Sequence, residues 1–181
     1  MFQKDDLIQK MCSIYVSDVH FTTMLLPYIA TQLEKGNMIC PILEKELTAN
    51  VEMLLSKWNI KKKLKDQIQN VNWKKKELYK YTQLEKYLDE SIRIGKTLFS
   101  IVVGNETYRK AMNENIERYV QNKESELRRK HIKIHLINGY EIMDFKENMQ
   151  QILDEHDKIL NTSGEKEIEE VFDGYEKKQI G

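Results

Sequence analysis

The stretch Gly104-Asn105-Glu106-Thr107-Tyr108 has the most to offer a ligand. It follows Leu98 to Val103 (LFSIVV), a short, continuous, β-branched run that reads as a fully buried strand, and it opens a helical pattern. A strand-to-helix turn of this kind aims free backbone N–H groups and polar side chains at one edge of a sheet. Two readings stay open: a capped helix start with Asn105 or Thr107 as N-cap, or contact with a ligand. Glu106 could hold a cation or act as a base, yet the sequence sets no second carboxylate or histidine beside it.

Other chemistry is hard to find. Gly95-Lys96-Thr97 looks like the end of a phosphate-binding loop, but Glu90 stands where that motif needs its first glycine. The tripeptide also leaves a helix and enters the Leu98 strand, the reverse of what the motif requires, so Gly95 reads as a helix stop. His20, His131, His135 and His156 show no metal-ligand spacing, and His156 falls on an apolar stripe as a hydrogen-bonded histidine at the core edge. Cys12 and Cys40 each sit in an apolar run and read as buried free thiols. No serine has a nucleophile-elbow context. The sequence therefore offers no catalytic residues, no metal site and no named cofactor.

Charge is balanced overall, with 29 basic and 29 acidic residues, so no global field favours a polyanion. It is uneven locally: Lys57, Lys61, Lys62, Lys63, Lys65, Lys74, Lys75, Lys76 and Lys80 cluster near Trp58 and Trp73. Nucleic acid could dock there, but zero net charge favours a solvated face, with the acidic stretch Glu165 to Asp173 as a counterpart within the chain or between subunits. The opening MFQKDDLIQK carries acids and no long apolar run, and no stretch reaches the ~18 apolar residues of a membrane span, so a cytoplasmic chain without membrane contact is expected.

The positioning elements alternate. Met11 to Val16 reads as a strand, and Ser17-Asp18 cap a helix through Leu33 that stops at Gly36, with Pro27 either bending it or marking a late start. Met38 to Leu43 is a second strand, ending near Pro41 or bulging there, and Thr48 caps a helix with Val51, Leu54, Leu55 and Trp58. Ile68 to Trp73 is a weak third strand. A helix over Glu77 to Ile94, the Leu98 strand, a long helix from Tyr108 and a strand Ile132 to Ile137 follow. Asp144 and Glu147 resemble a capping box for a helix with Phe145, Met149, Ile152, Leu153 and Leu160. Residues 1–162 thus form one α/β domain, and 163–181 an amphipathic C-terminal helix (Ile168, Val171, Phe172, Tyr175) docked on the domain or on a partner. The implied architecture has three layers: a mostly parallel sheet with helices on both faces.

Several of these stretches resemble the MEDS family, the sensory domain of the dichloromethane-responsive regulator and of its relatives in methanogens and methylotrophs. Cys12-Ser13-Ile14-Tyr15 is similar to the family's opening strand, and Leu26-Pro27-Tyr28-Ile29 with Leu33 to Asn37 to its first helix and turn. Gly104 to Tyr108, Tyr119, Tyr140-Glu141, Phe145, Leu153 and His156-Asp157 are similar to later family positions, with Asp157 where proline is usual. The resemblance implies a fold like RecA and KaiC ATPases that has lost its phosphate loop and is used for sensing. It also implies output through a partner protein or self-association.

The expectation is a non-catalytic sensory or regulatory module, with a divergent nucleotide-binding enzyme, or a polyanion-binding protein acting through the lysine cluster, as the alternatives. The module binds a small molecule or a signalling protein at the carboxyl edge of the sheet through Tyr15, His20, Gly104, Asn105, Glu106, Tyr108 and Tyr140.

Overall fold

A computed structural model describes residues 7–73, 77–104 and 106–176. Among these, six strands form one sheet in the order β2-β3-β4-β1-β5-β6. Strands β1 (Ile8–Tyr15), β2 (Met38–Ile42), β3 (Leu98–Val103), β4 (Lys133–Glu141) and β5 (Lys158–Asn161) run parallel, and β6 (Gly164–Glu167) pairs antiparallel with β5. The expected three-layer α/β architecture is present.

Alternation along the strands sorts the core. Met11 and Tyr15 of β1, Val102 of β3 and Ile137 of β4 point to one face. There they meet α1 (Asp18–Glu34), α2 (Thr48–Lys57) and α3 (Lys62–Gln69). On the other face, Phe99, Ile101, Val103, Ile134 and Leu136 pack beneath α4 (Tyr81–Arg93) and α5 (Glu106–Arg129). Beside them Cys12 and Tyr140 pack under α6 (Ile142–Glu147) and α7 (Met149–Glu155). The neighbours β1 and β4 therefore send their following helices to opposite faces, which makes the space beyond their carboxyl ends the topological switch point of the sheet.

Local chemistry explains most boundaries. Ser17 caps α1, its Oγ accepting from the His20 N–H at 3.1 Å. Gly95 ends the α4 segment with φ 96°, a left-handed turn that favours glycine, and Lys96 reaches the Gly36 carbonyl at 3.0 Å. Gly95-Lys96-Thr97 thus closes a helix and leads into β3.

β2 ends at Ile42, one residue beyond Pro41, and the proline's missing donor is tolerated because β2 lies at the sheet edge and pairs with β3 alone. Other expectations give way. Ile68 to Trp73 is not a strand. Leu64 and Ile68 stand at i,i+4 and bury on the α1 side as part of α3, while the Trp73 indole donates to the Ile68 carbonyl at 3.2 Å. Thr48 does not cap α2, because Leu47 occupies the N-cap position without a side-chain bond. Nor does the Asp144/Glu147 box form: α6 starts at Ile142, behind Glu141.

The C-terminal segment departs furthest. Leu160 lies in β5, not on a helix, and Ser163-Gly164 turns a hairpin in which the Ser163 N–H donates to Asn161 Oδ1 at 2.8 Å. The expected amphipathic helix shrinks to α8 (Ile168–Val171). Its stripe docks on its own domain: Ile168 is buried, Phe172 packs 5.6 Å from Phe145, and the Tyr175 hydroxyl donates to Asp154 at 2.7 Å. Residues 177–181 lie outside the described residues. Among the described residues no helix is long and apolar enough to cross a membrane.

Candidate functional site

The switch point was the natural place for a ligand, and side chains fill it. The Tyr15 hydroxyl donates to the Gly104 carbonyl at 3.0 Å, tying the end of β1 to the end of β3. Its ring stacks on Phe21 at 4.6 Å. Both rings press on β4 so closely that a Cβ at Gly139 would sit 2.9 Å from Phe21 and 3.1 Å from Tyr15. Gly104 is crowded too, with Leu43 Cδ2 2.5 Å from where a Cβ would be. The space left, about 50 Å³ among Tyr15, Asp18, Phe21, Leu43, Gly104 and Glu141, suits a few waters at most. A bound metabolite usually needs ~300 Å³ or more. Val16 and Ser17 alone join β1 to α1, leaving no length for an eight-residue phosphate loop.

This geometry separates the expected site residues. Tyr15 and Gly104 belong to the plug, and burial, aided by Glu141 and Asp18, pushes the Tyr15 hydroxyl up to about 12. His20 locks the turn, its Nδ1 accepting from the Val16 N–H at 3.1 Å. Tyr108 faces the other way, toward Tyr79 at 5.2 Å. Asn105 lies outside the described residues. Only Glu106 and Tyr140 meet at an open space, and it is elsewhere. Of the other histidines, His131 takes a turn conformation at φ 55°, and His135 Nδ1 lies 3.2 Å from the Tyr28 hydroxyl.

That open space is a cleft of about 530 Å³ between α5 and α7, floored by β4 and rimmed by Lys10, Glu106, Arg109, Tyr140, Glu155 and His156. A second lobe of about 240 Å³ shares Glu106, Arg109, Tyr140 and Glu155. Arg109 is central to both. Its guanidinium carbon lies 3.9 Å from the Tyr140 ring centroid, and Nη1 donates to the Gly139 carbonyl at 2.8 Å. Stacking and one hydrogen bond fix the plane of the fork. No carboxylate of the described residues pairs with it, although acids line both lobes.

A satisfied polar chain stiffens the floor. Asn113 Nδ2 donates to the Arg109 carbonyl at 2.7 Å and to Asn138 Oδ1 at 3.0 Å, and Asn138 Nδ2 returns a bond to Asn113 Oδ1 at 3.3 Å. Asn138 Nδ2 also lies 3.0 Å from His156 Nε2, while His156 Nδ1 lies 2.6 Å from the Ile152 carbonyl. The arrangement fits one tautomer: Nδ1 protonated and donating to Ile152, Nε2 accepting from Asn138. Burial holds the imidazole neutral, with its pKa lowered to about 4; the Ile152 bond opposes this and Lys10 adds to the lowering. Its edge contacts the Tyr140 ring at 5.6 Å. His156 is thus the hydrogen-bonded core histidine its stripe implied, and it braces the wall of the cleft.

The sequence reading missed Lys10, Arg109, Asn113 and Asn138. The signal available was weak: Arg109 and Asn113 at i,i+4 on the first turns of a helix whose start already drew attention. Among the described residues no three His, Cys, Asp or Glu side chains converge to hold a metal ion. The chain matches no family model, no curated protein and no solved structure.

Proposed function

We propose that the protein is a sensory or regulatory module that binds a small anionic molecule in the α5–α7 cleft and performs no chemistry on it. The observation that carries this reading is Arg109: a guanidinium held flat on Tyr140, anchored once to Gly139, and without a carboxylate partner among the described residues, in a cleft of ligand size. Such a fork recognises a carboxylate or phosphate through two parallel hydrogen bonds. The acids at Glu106 and Glu155 then favour a ligand that also carries an amine, and they disfavour multiply charged anions.

The same placement suggests how binding would be transmitted. Arg109 lies on α5, whereas Gln151 and Glu155 lie on α7, so a ligand spanning the cleft bridges two elements. The α6–α7–α8 unit rests on a small separate core of Cys12, Tyr140, Phe145, Ile152, Leu153 and Ile159. A ligand that binds one position of that unit better than another shifts its population and the surface offered to a signalling partner. The side-chain plug and two-residue β1–α1 connection support the MEDS-like reading of a nucleotide-hydrolase scaffold without its phosphate loop.

The test is calorimetric titration with acetate, L-glutamate, succinate and inorganic phosphate, repeated with Arg109→Leu. Binding of one or more of these that is lost in the variant is the expected result. Undiminished affinity in Arg109→Leu, or no binding to any of them, would remove the basis for this reading.

A further inference from the structure

The lysine cluster is stranger in three dimensions than in sequence. Residues 57–80 hold nine lysines against Asp66 and Glu77, leaving twenty basic and twenty-seven acidic residues in the rest of the chain. The neutral protein is therefore strongly polarised. Lys57 ends α2, Lys61 is the N-cap of α3, and Lys62, Lys63 and Lys65 follow in its first turns. Leu64 and Ile68 anchor α3 to the core, which fixes its orientation and leaves Lys61, Lys62 and Lys63 in solvent.

Among the described residues no salt bridge compensates these charges. Two acids of the stretch expected to do so are engaged elsewhere: Glu165 and Glu167 each lie 3.8 Å from Lys158 Nζ within the β5–β6 hairpin. Lys10, Lys45, Lys123 and Lys130 have carboxylate partners, but Lys57, Lys61, Lys62, Lys63 and Lys65 have none among the described residues. Their placement also works against the helix. Three lysines crowd the first turns of α3, where the macrodipole is positive and no acid stands, and Lys61 and Lys65 repel at i,i+4. Selection for stability alone would put acids there.

We infer that the α2–α3 lysine face binds the phosphate backbone of nucleic acid, without reading its sequence. Phosphates supply the closely spaced negative charge that this face lacks, and each contact releases a condensed counterion. An anionic membrane is the poorer fit, since between Lys57 and Trp73 no large apolar side chain is exposed to enter the lipid. Lysines grip phosphates as point charges, so affinity rests on charge. The surface is separate from the α5–α7 cleft and does not depend on it.

The test is fluorescence anisotropy of a labelled duplex DNA and a labelled single-stranded RNA with the full chain over a salt series. Binding to either with a log–log salt slope of about −4 is expected from roughly five phosphate contacts. Replacing Lys61, Lys62 and Lys63 by Glu should abolish it, and replacing them by Gln should flatten the slope by about three with the fold unchanged by circular dichroism. The inference is overturned by no binding at low salt, by an unchanged slope in the Gln variant, or by binding only to phosphatidylserine vesicles or polyglutamate.

Discussion

The two faces of the carboxyl end of β4 differ in how they treat space. At the switch point, Tyr15 and Phe21 fill the crevice beyond β1 and β4 so closely that glycine is required at Gly139. A few residues away, Arg109, Tyr140, Asn138 and His156 build an equally ordered wall, yet they line a cleft of about 530 Å³. Topology alone favours the first region as a binding site, whereas packing favours the second. A fold thus says where a ligand can be accommodated, and the side chains decide whether it is.

The comparison breaks most readily at the plug. Phe21→Ala removes the ring that closes the switch point and should cost about 3–5 kcal/mol in chemical denaturation. If the plug is what excludes ligands there, the variant, where still folded, should also gain binding of benzene in the new apolar cavity. Next in size is acidification. His156 is neutral in the fold with a pKa near 4 against an ordinary 6.5, so the unfolded chain takes up a proton first as pH falls. The resulting stability is fully present above pH 6.5, is lost progressively toward pH 4, and amounts to about 3 kcal/mol over that window. Thermal melts of the native chain and of His156→Gln across that range check it: the variant should lose this part of the slope.

Gly139→Ala comes third, at about 1–3 kcal/mol, because the new Cβ meets two rigid rings and not a flexible chain end. Combined with Phe21→Ala, its cost should fall below the sum of the single changes, since both act on one contact. The smallest effect separates a turn lock from a ligand contact. His20→Ala removes the acceptor for the Val16 N–H and should cost about 1 kcal/mol, leaving ligand affinity unchanged in the titrations of Arg109.

Much of the fold was legible because its signals were redundant. LFSIVV between Thr97 and Gly104 is apolar on both faces, as a central parallel strand must be, and the stripe Met112, Ile116, Tyr119 and Val120 has only one period. Ile68 to Trp73 misled because Ile68 belongs to a pair with Leu64, which a strand reading cuts in half. Ile168 to Tyr175 misled because helical spacing over so few residues also suits one short turn followed by irregular chain. The site was legible only in its address. Strand ends pointed to Tyr140 and Glu106, but Arg109 looks like any solvated arginine on an amphipathic helix. Its significance comes from Tyr140, which is distant in sequence and adjacent only through the β3–α5–β4 crossover.

Under the proposed function, ligands meet this molecule at the α5–α7 cleft and not at its switch point. Nitrogen–proton correlation spectra of the labelled chain, recorded during titration with acetate and L-glutamate, test it most directly. The expected result is a saturable shift at Arg109, Asn113, Asn138, Tyr140 and Glu155, with Val16 to Phe21 and Gly104 unmoved. Shifts confined to Val16 to Phe21 and Gly104, with the cleft residues silent, would contradict it.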